Sequence, residues 1–318
     1  MANLVHPPTA VVGITDKDWF ESLRQLDSVD EVNFWQPSPR GAFVALQPGE
    51  PFLFKLHSPN DRIVGGGFFA RYERMPISVV WDAFGAKNGA DSLQEMRKRV
   101  ERYRRIVSSV HEDYEIGCVL LEQPFFLVEP DWLPVPDWNR NIQRYRRYRL
   151  DQEPGLSLWR TVQSRIYVTT GSGQLTAALL GESGSQRYGT PTFVRPRLGQ
   201  GSFQVAVVGS YGRRCAITGE KVLPVLEAAH IRPYGEGGEH SVDNGLLLRR
   251  DVHVLFDRGY ITVTPDLEVN VSKRLRAEFD NGDHYLAMSG HQIRQPSNRE
   301  DKPNPKLLDW HNQNRFVA

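Results

Sequence analysis

A chain of 318 residues is enough for about two domains at roughly 150 residues each. Its 40% hydrophobic and 24% charged residues exclude a disordered chain, and a net charge of +1 neither demands nor excludes a polyanionic partner. No apolar run reaches the ~20 residues of a membrane-spanning helix, and MANLVHPPTAVVGITDKDWF lacks the basic start and unbroken apolar core of a secretory signal. The two cysteines, Cys118 and Cys215, lie too far apart in sequence to suggest a disulfide framework or a Cys-rich zinc site. The expectation is a reduced, cytoplasmic, two-domain protein with no membrane partner.

Strand-like runs come first, at Ala42 to Leu46 and Pro51 to His57, joined by the turn-like Gln47-Pro48-Gly49-Glu50. Asn60-Asp61-Arg62 separates these from IVGGGFFARY, whose three glycines, Gly65 to Gly67, predict a bulge or a close approach of backbone. Short turns between successive strands imply antiparallel pairing and a small barrel. Asp91 or Ser92 caps a predicted helix in which Leu93, Met96, Val100, Tyr103 and Val107 recur at spacings of three and four. IGCVLLEQPFFLV then reads as one or two buried strands broken at Pro124. Arginines cluster over residues 97–105 and again over 140–149. The second cluster, with its proline-rich flanks, reads as a linker. Trp159 to Val168 fits either a helix or a strand, and residues 181–202 read as an extended loop. Phe203, Val207, Val208 and Tyr211 then share one face of a helix ending near Gly212.

Chemistry concentrates in residues 213–260. A strand from Val225 to Ile231 carries His230; a glycine-rich loop leads to the turn signal Asp243-Asn244-Gly245; Leu246 to Leu248 is apolar. Asp251 is placed to cap a helix that puts His253 and Asp257 four apart on one face. Histidine and carboxylate at that spacing hold a divalent cation between them, and a separate His230 can act as general base on water. Together these are the parts of metal-assisted phosphodiester hydrolysis.

The order His230, Asn244, His253, with CAITGE, LEAAHIRPY, NGLLLRRDVHVLFDRGY and LLDWHNQNRF, resembles the HNH endonucleases, in the branch found among bacterial restriction-type nucleases. The resemblance implies a ββα-metal domain over 196–318 and one divalent metal ion, Mg²⁺, Mn²⁺, Co²⁺ or Ni²⁺. It implies His230 as the base that deprotonates water and Asn244 as the residue holding the hairpin loop. It also makes His253 and Asp257 metal ligands. The position before the base, often a ligand in the family, is Ala229 here; Glu227, two residues earlier, is longer and a candidate substitute. Arg232 is a candidate phosphate contact.

PFLFKLHSPNDRIVGGGFF and VVWDAFG resemble the PUA-like group, which includes the EVE and SRA modules that read modified bases. That resemblance implies a PUA-like β-barrel with helices over 1–137, flipping a base into an aromatic pocket. Trp35 and Trp81 are the pocket candidates, with Asn33 and Tyr72. Phe54, Phe68 and Phe69 are expected in the core. Residues 138–195 are then a basic, aromatic linker in which Arg144, Arg146 and Arg147 meet the DNA backbone. Together the resemblances imply an α+β, modification-dependent, type IV restriction-like endonuclease. Its expected substrate is double-stranded DNA carrying 5-methyl- or 5-hydroxymethylcytosine, and a homodimer on DNA would account for cutting both strands. A broad-specificity HNH nuclease whose N-terminal domain binds another ligand, and a non-catalytic reader of modified DNA, are the alternative readings.

Overall fold

The computed structural model describes residues 7–39, 41–104, 109, 112–170 and 196–318, so the glycine-rich stretch expected as a loop lies outside the described residues up to 195, as does Val107. The chain divides into two compact units, Met1–Pro196 and Arg197–Ala318. Strands and helices are mixed in both, giving the α+β class expected. Among the described residues no helix is long and apolar enough to cross a membrane.

The first unit is built on one sheet. Its elements are β1 (Thr9–Thr15), α1 (Lys17–Arg24), β2 (Glu31–Gln36), β3 (Pro51–Leu56), β4 (Arg62–Pro76), α2 (Ile77–Phe84), α3 (Leu93–Tyr103), β5 (Glu115–Phe126), β6 (Leu133–Pro134), β7 (Tyr145–Arg149) and α4 (Gly155–Thr170). Strands pair in the order β2-β5-β4-β3-β1-β7, with β6 added to β4. Only β1 and β3 run parallel; the other pairs are antiparallel. The triple glycine works as a close approach: a Cβ on Gly65 would lie 2.3 Å from the Phe125 carbonyl oxygen, and one on Gly66 2.8 Å from that of Phe52. The β4–β5 register also slips on either side of Phe68 and Phe69. Ser92 caps α3 by accepting from the Glu95 N–H.

Three expectations for the first unit need correction. Ala42 to Leu46 form no strand; Phe43, Ala45 and Leu46 are buried from a loop instead. β5 runs through Pro124 unbroken, with the adjacent Gln123 at φ 50° taking up the irregularity. Residues 145–170 are not linker. β7 adds to the sheet edge beside β1, and α4 places Leu158, Trp159, Val162 and Ile166 in one core cluster with Ala10, Val12, Phe68 and Tyr148. Burial of side chains of that size is worth about 1.5–3 kcal/mol each, which fixes a segment that its prolines and arginines make look like a tether.

The second unit contains α5 (Gln200–Ser210), β8 (Leu226–His230), β9 (Gly245–Arg249), α6 (Arg250–Asp257), β10 (Ile261–Val263), β11 (Val269–Val271), α7 (Arg274–Phe279), α8 (Asp283–Leu286) and α9 (Pro305–Asn314). β8 and β9 form an antiparallel hairpin with His230 opposite Gly245, and α6 follows β9 without a break. α5 packs Phe203 and Val207 against the hairpin at Gly245, where a Cβ would lie 2.5 Å from Val207 Cγ2. Asp251 does not cap α6. It lies inside the first turn, where its carboxylate accepts from Arg249 and from the Tyr285 hydroxyl.

Candidate active site

The hairpin and α6 open onto a cleft of about 660 Å³ whose lining includes Phe203, Glu227, His230, Tyr234, His253, Asp257 and Arg315. His230 ends β8 and stacks on Phe203, with ring centres 4.0 Å apart and planes within 13°. Burial, then the neighbouring His240 and His253, lower its pKa to about 4, so the ring is neutral at neutral pH and carries a lone pair on one nitrogen. His240 Nδ1 lies 2.9 Å from His230 Nε2, and the His240 ring stacks in turn on Tyr234 at 4.6 Å. Nothing in the sequence marked His240, which sits ten residues away in a polar loop.

Asn244 is fully buried and clamps that loop. Its Oδ1 accepts from the Arg232 N–H at 2.9 Å, while Nδ2 donates to the carbonyls of Arg232 at 3.0 Å and Glu239 at 2.9 Å. Its own carbonyl accepts from the Ile231 N–H, directly after His230. On α6, His253 Nε2 lies 3.3 Å from Asp257 Oδ2, and His253 Nδ1 lies 2.8 Å from Glu227 Oε2. Arg250 donates to the other Glu227 oxygen at 2.7 Å. Burial pushes the Glu227 carboxyl upward, but the bonds from His253 and Arg250 outweigh it and hold the group below its ordinary value. Asp257 moves the other way. Desolvation by the cleft walls raises it against His253 and Arg315, although more than half of its side-chain surface is open.

The first unit has its own cavity, about 340 Å³, lined by Asp16, Trp19, Phe34, Trp35, His57, Tyr103, Arg144 and Tyr145 among others. Trp19 meets Phe34 edge-on at 5.5 Å, and His57 lies parallel to Tyr103 at 6.1 Å. The Tyr103 hydroxyl donates to Asp16 Oδ2 at 3.1 Å, and the other Asp16 oxygen caps α1.

Residues 215–264 match the HNH endonuclease family, and that stretch holds the hairpin, the clamped loop and α6. The second unit carries an HNH endonuclease domain. Among solved structures, an ASCH protein from Zymomonas mobilis is similar at 10% identity and a TM-score of 0.33, over 47% of this chain and 94% of that one. The modification-dependent restriction endonuclease TagI is similar at 15% identity and a TM-score of 0.27, over 92% of this chain and 78% of that one. No curated protein matches the chain significantly.

HNH endonucleases work with a divalent metal ion, and the α6 donors fit one. His253 Nε2 and Asp257 Oδ2 stand 3.3 Å apart on one face of the helix, where both would hold it. Glu227 engages the other ring nitrogen, Nδ1, and so holds the His253 ring with Nε2 on the Asp257 side. Among the described residues no three His, Cys, Asp or Glu side chains form a closed cation cage. Ala229 itself is buried.

Other expected site residues are placed differently. Arg232 does not line the HNH cleft; it lies over the Trp310 ring at 5.1 Å and donates to the Glu236 carbonyl. Arg315, which sequence reasoning passed over, does line it and pairs with Glu236. In the first unit Trp35 and Arg144 reach the cavity, but Asn33, Tyr72 and Trp81 do not. Asn33 is fully buried and donates to Asn88 Oδ1, Tyr72 packs near Phe43, and Trp81 sits on α2. Arg146 donates to the Asp137 carbonyl, and Arg147 lines a separate cleft with Arg146 and Arg149 beside β7.

Proposed function

We propose that the protein is a modification-dependent DNA endonuclease, in which a PUA-like first unit admits a modified cytosine and the HNH domain hydrolyses a nearby phosphodiester. The observation that carries the reading is the aromatic cavity of the first unit on the same chain as the HNH cleft. At about 340 Å³ it lies within the ~300–1,000 Å³ range of small-molecule pockets. Phe34 and Tyr103 line it with rings on which a flipped base can stack, worth about 1–3 kcal/mol per base. Asp16 is an acceptor suited to the exocyclic amine of cytosine. Arg144 at the cavity and Arg146 and Arg147 on β7 supply cations for the phosphate backbone.

In the HNH cleft, neutral His230 takes a proton from water as the water oxygen attacks phosphorus and the bond to the 3′ oxygen breaks. Phe203 fixes the plane of the base, and Asn244 fixes the chain on its C-terminal side. His253 and Asp257 would hold the divalent ion, which when bound stabilises charge on the departing oxygen. Glu227 keeps the His253 ring turned for that task.

The test is cleavage of one plasmid prepared unmodified, with 5-methylcytosine and with 5-hydroxymethylcytosine, in Mg²⁺, Mn²⁺, Co²⁺ or Ni²⁺, beside His230→Ala. Cutting confined to a modified plasmid and absent in His230→Ala is expected. Equal cutting of all three plasmids overturns modified-base reading and leaves a nuclease of broad specificity. Binding of modified DNA without cutting in any metal overturns the catalytic assignment.

A further inference from the structure

Two neutral imidazoles 2.9 Å apart cannot both donate or both accept, so the contact between His230 Nε2 and His240 Nδ1 ties the tautomer of one ring to that of the other. A base must also present a lone pair on the nitrogen that meets water. If Nε2 of His230 carries the proton and donates it to His240, Nδ1 of His230 is the nitrogen left with a lone pair. When that nitrogen accepts the proton from water, the ring becomes an imidazolium, and its Nε2–H bond to His240 becomes charge-assisted. Here a second imidazole does what a carboxylate does behind the histidine of a hydrolytic triad, without adding a negative charge beside the phosphate.

We propose that His240 is the positioning residue of the HNH base, holding His230 in the tautomer protonated at Nε2 and accepting the hydrogen bond of the imidazolium that forms. The His240 ring is itself held, stacked on Tyr234 with planes within 7° and packed near Phe203. Asn244 anchors the connecting loop through the Glu239 carbonyl, next in sequence to His240. The inference rests on the reading of His230 as the base.

The test uses the full chain with His240→Ala, His240→Asn and His240→Gln. An asparagine Oδ1 at position 240 stands near the place of the His240 Nδ1 and accepts from His230 Nε2–H, whereas the polar atoms of glutamine lie one bond further out. Cleavage kinetics should show kcat lower by roughly ten- to a hundredfold in Ala and Gln, with KM unchanged and Asn within about threefold of wild type. Nitrogen-15 spectra of labelled histidine should show His230 protonated at Nε2 in wild type and Asn, and a tautomer mixture in Ala and Gln. His240→Ala cutting at the wild-type rate, or Asn losing as much as Ala, overturns the inference while His230→Ala still abolishes cutting. Wild-type cutting that survives His230→Ala overturns the reading of the base beneath it.

Discussion

Replacing Asn244 tests how the HNH hairpin is held. Three side-chain hydrogen bonds, at 2.9, 3.0 and 2.9 Å, tie the loop to a residue with no exposed surface. Asn244→Ala deletes all three and leaves an amide and two carbonyls to find water, at a net cost near 1 kcal/mol for each bond. The loop's outer face is open, so water partly replaces them, and the expected local loss is about 2–4 kcal/mol. Asn244→Asp should be as damaging or worse. It keeps an acceptor for the Arg232 N–H but turns a carboxylate oxygen toward two carbonyl oxygens. Hydrogen exchange read on peptides covering 226–249 measures this opening without unfolding the chain. A loss of 2–4 kcal/mol speeds exchange there by roughly 30- to 1,000-fold, at about 1.4 kcal/mol per decade. Exchange faster by less than about threefold in both variants would show that Asn244 does not clamp the loop.

Glu227→Ala should weaken metal binding about 10- to 100-fold by freeing the His253 ring, with Glu227→Gln milder because it still accepts from Nδ1; calorimetric titration with Mn²⁺ decides, and equal affinities would refute the orienting role. His311 is buried between Thr262 and the Phe256 carbonyl, its pKa lowered to about 4 chiefly by burial. It is therefore neutral when folded and charged below about pH 6.5 when unfolded, so its contribution to stability is complete above that pH and lost as pH falls toward 4. Between pH 7 and 5 that loss is about 2 kcal/mol, and the wild type should lose correspondingly more than His311→Gln in urea melts at the two pH values. Gly245→Ala would set a Cβ 2.5 Å from Val207 Cγ2 and 3.1 Å from Phe203. It should cost about 1–3 kcal/mol in thermal melts and lower kcat by pushing Phe203 from under His230; an unchanged kcat would count against Phe203 as the base's support.

The HNH element was legible because its information is local. A strand ending in His230, a turn at Asp243-Asn244-Gly245 and a helix bearing His253 and Asp257 follow one another within a few dozen residues, each with its own signal. His240 was not legible, because its pairing with His230 is made by the path of the loop. The sheet of the first unit was read only in part. β1 lies parallel to β3, which no turn signal joins to it, and β2 is buried on both faces, so alternation did not reveal the strand or the inward face of Asn33. β7 alternates arginine with tyrosine between proline-rich flanks, and only its pairing with β1 and the burial of Tyr148 identify it as part of the sheet.

That same strand bears on how the protein behaves in concentrated solution. β7 ends the strand order, and among the described residues no further strand pairs with its outer side. An open edge of this kind invites a strand from another molecule, the usual first step of edge-to-edge aggregation. Arg146, Arg147 and Arg149 set three cations along five residues of it. Two such edges approaching in register would repel one another, so the arginines proposed to meet a phosphate backbone would also keep neighbouring copies of the chain from extending each other's sheets.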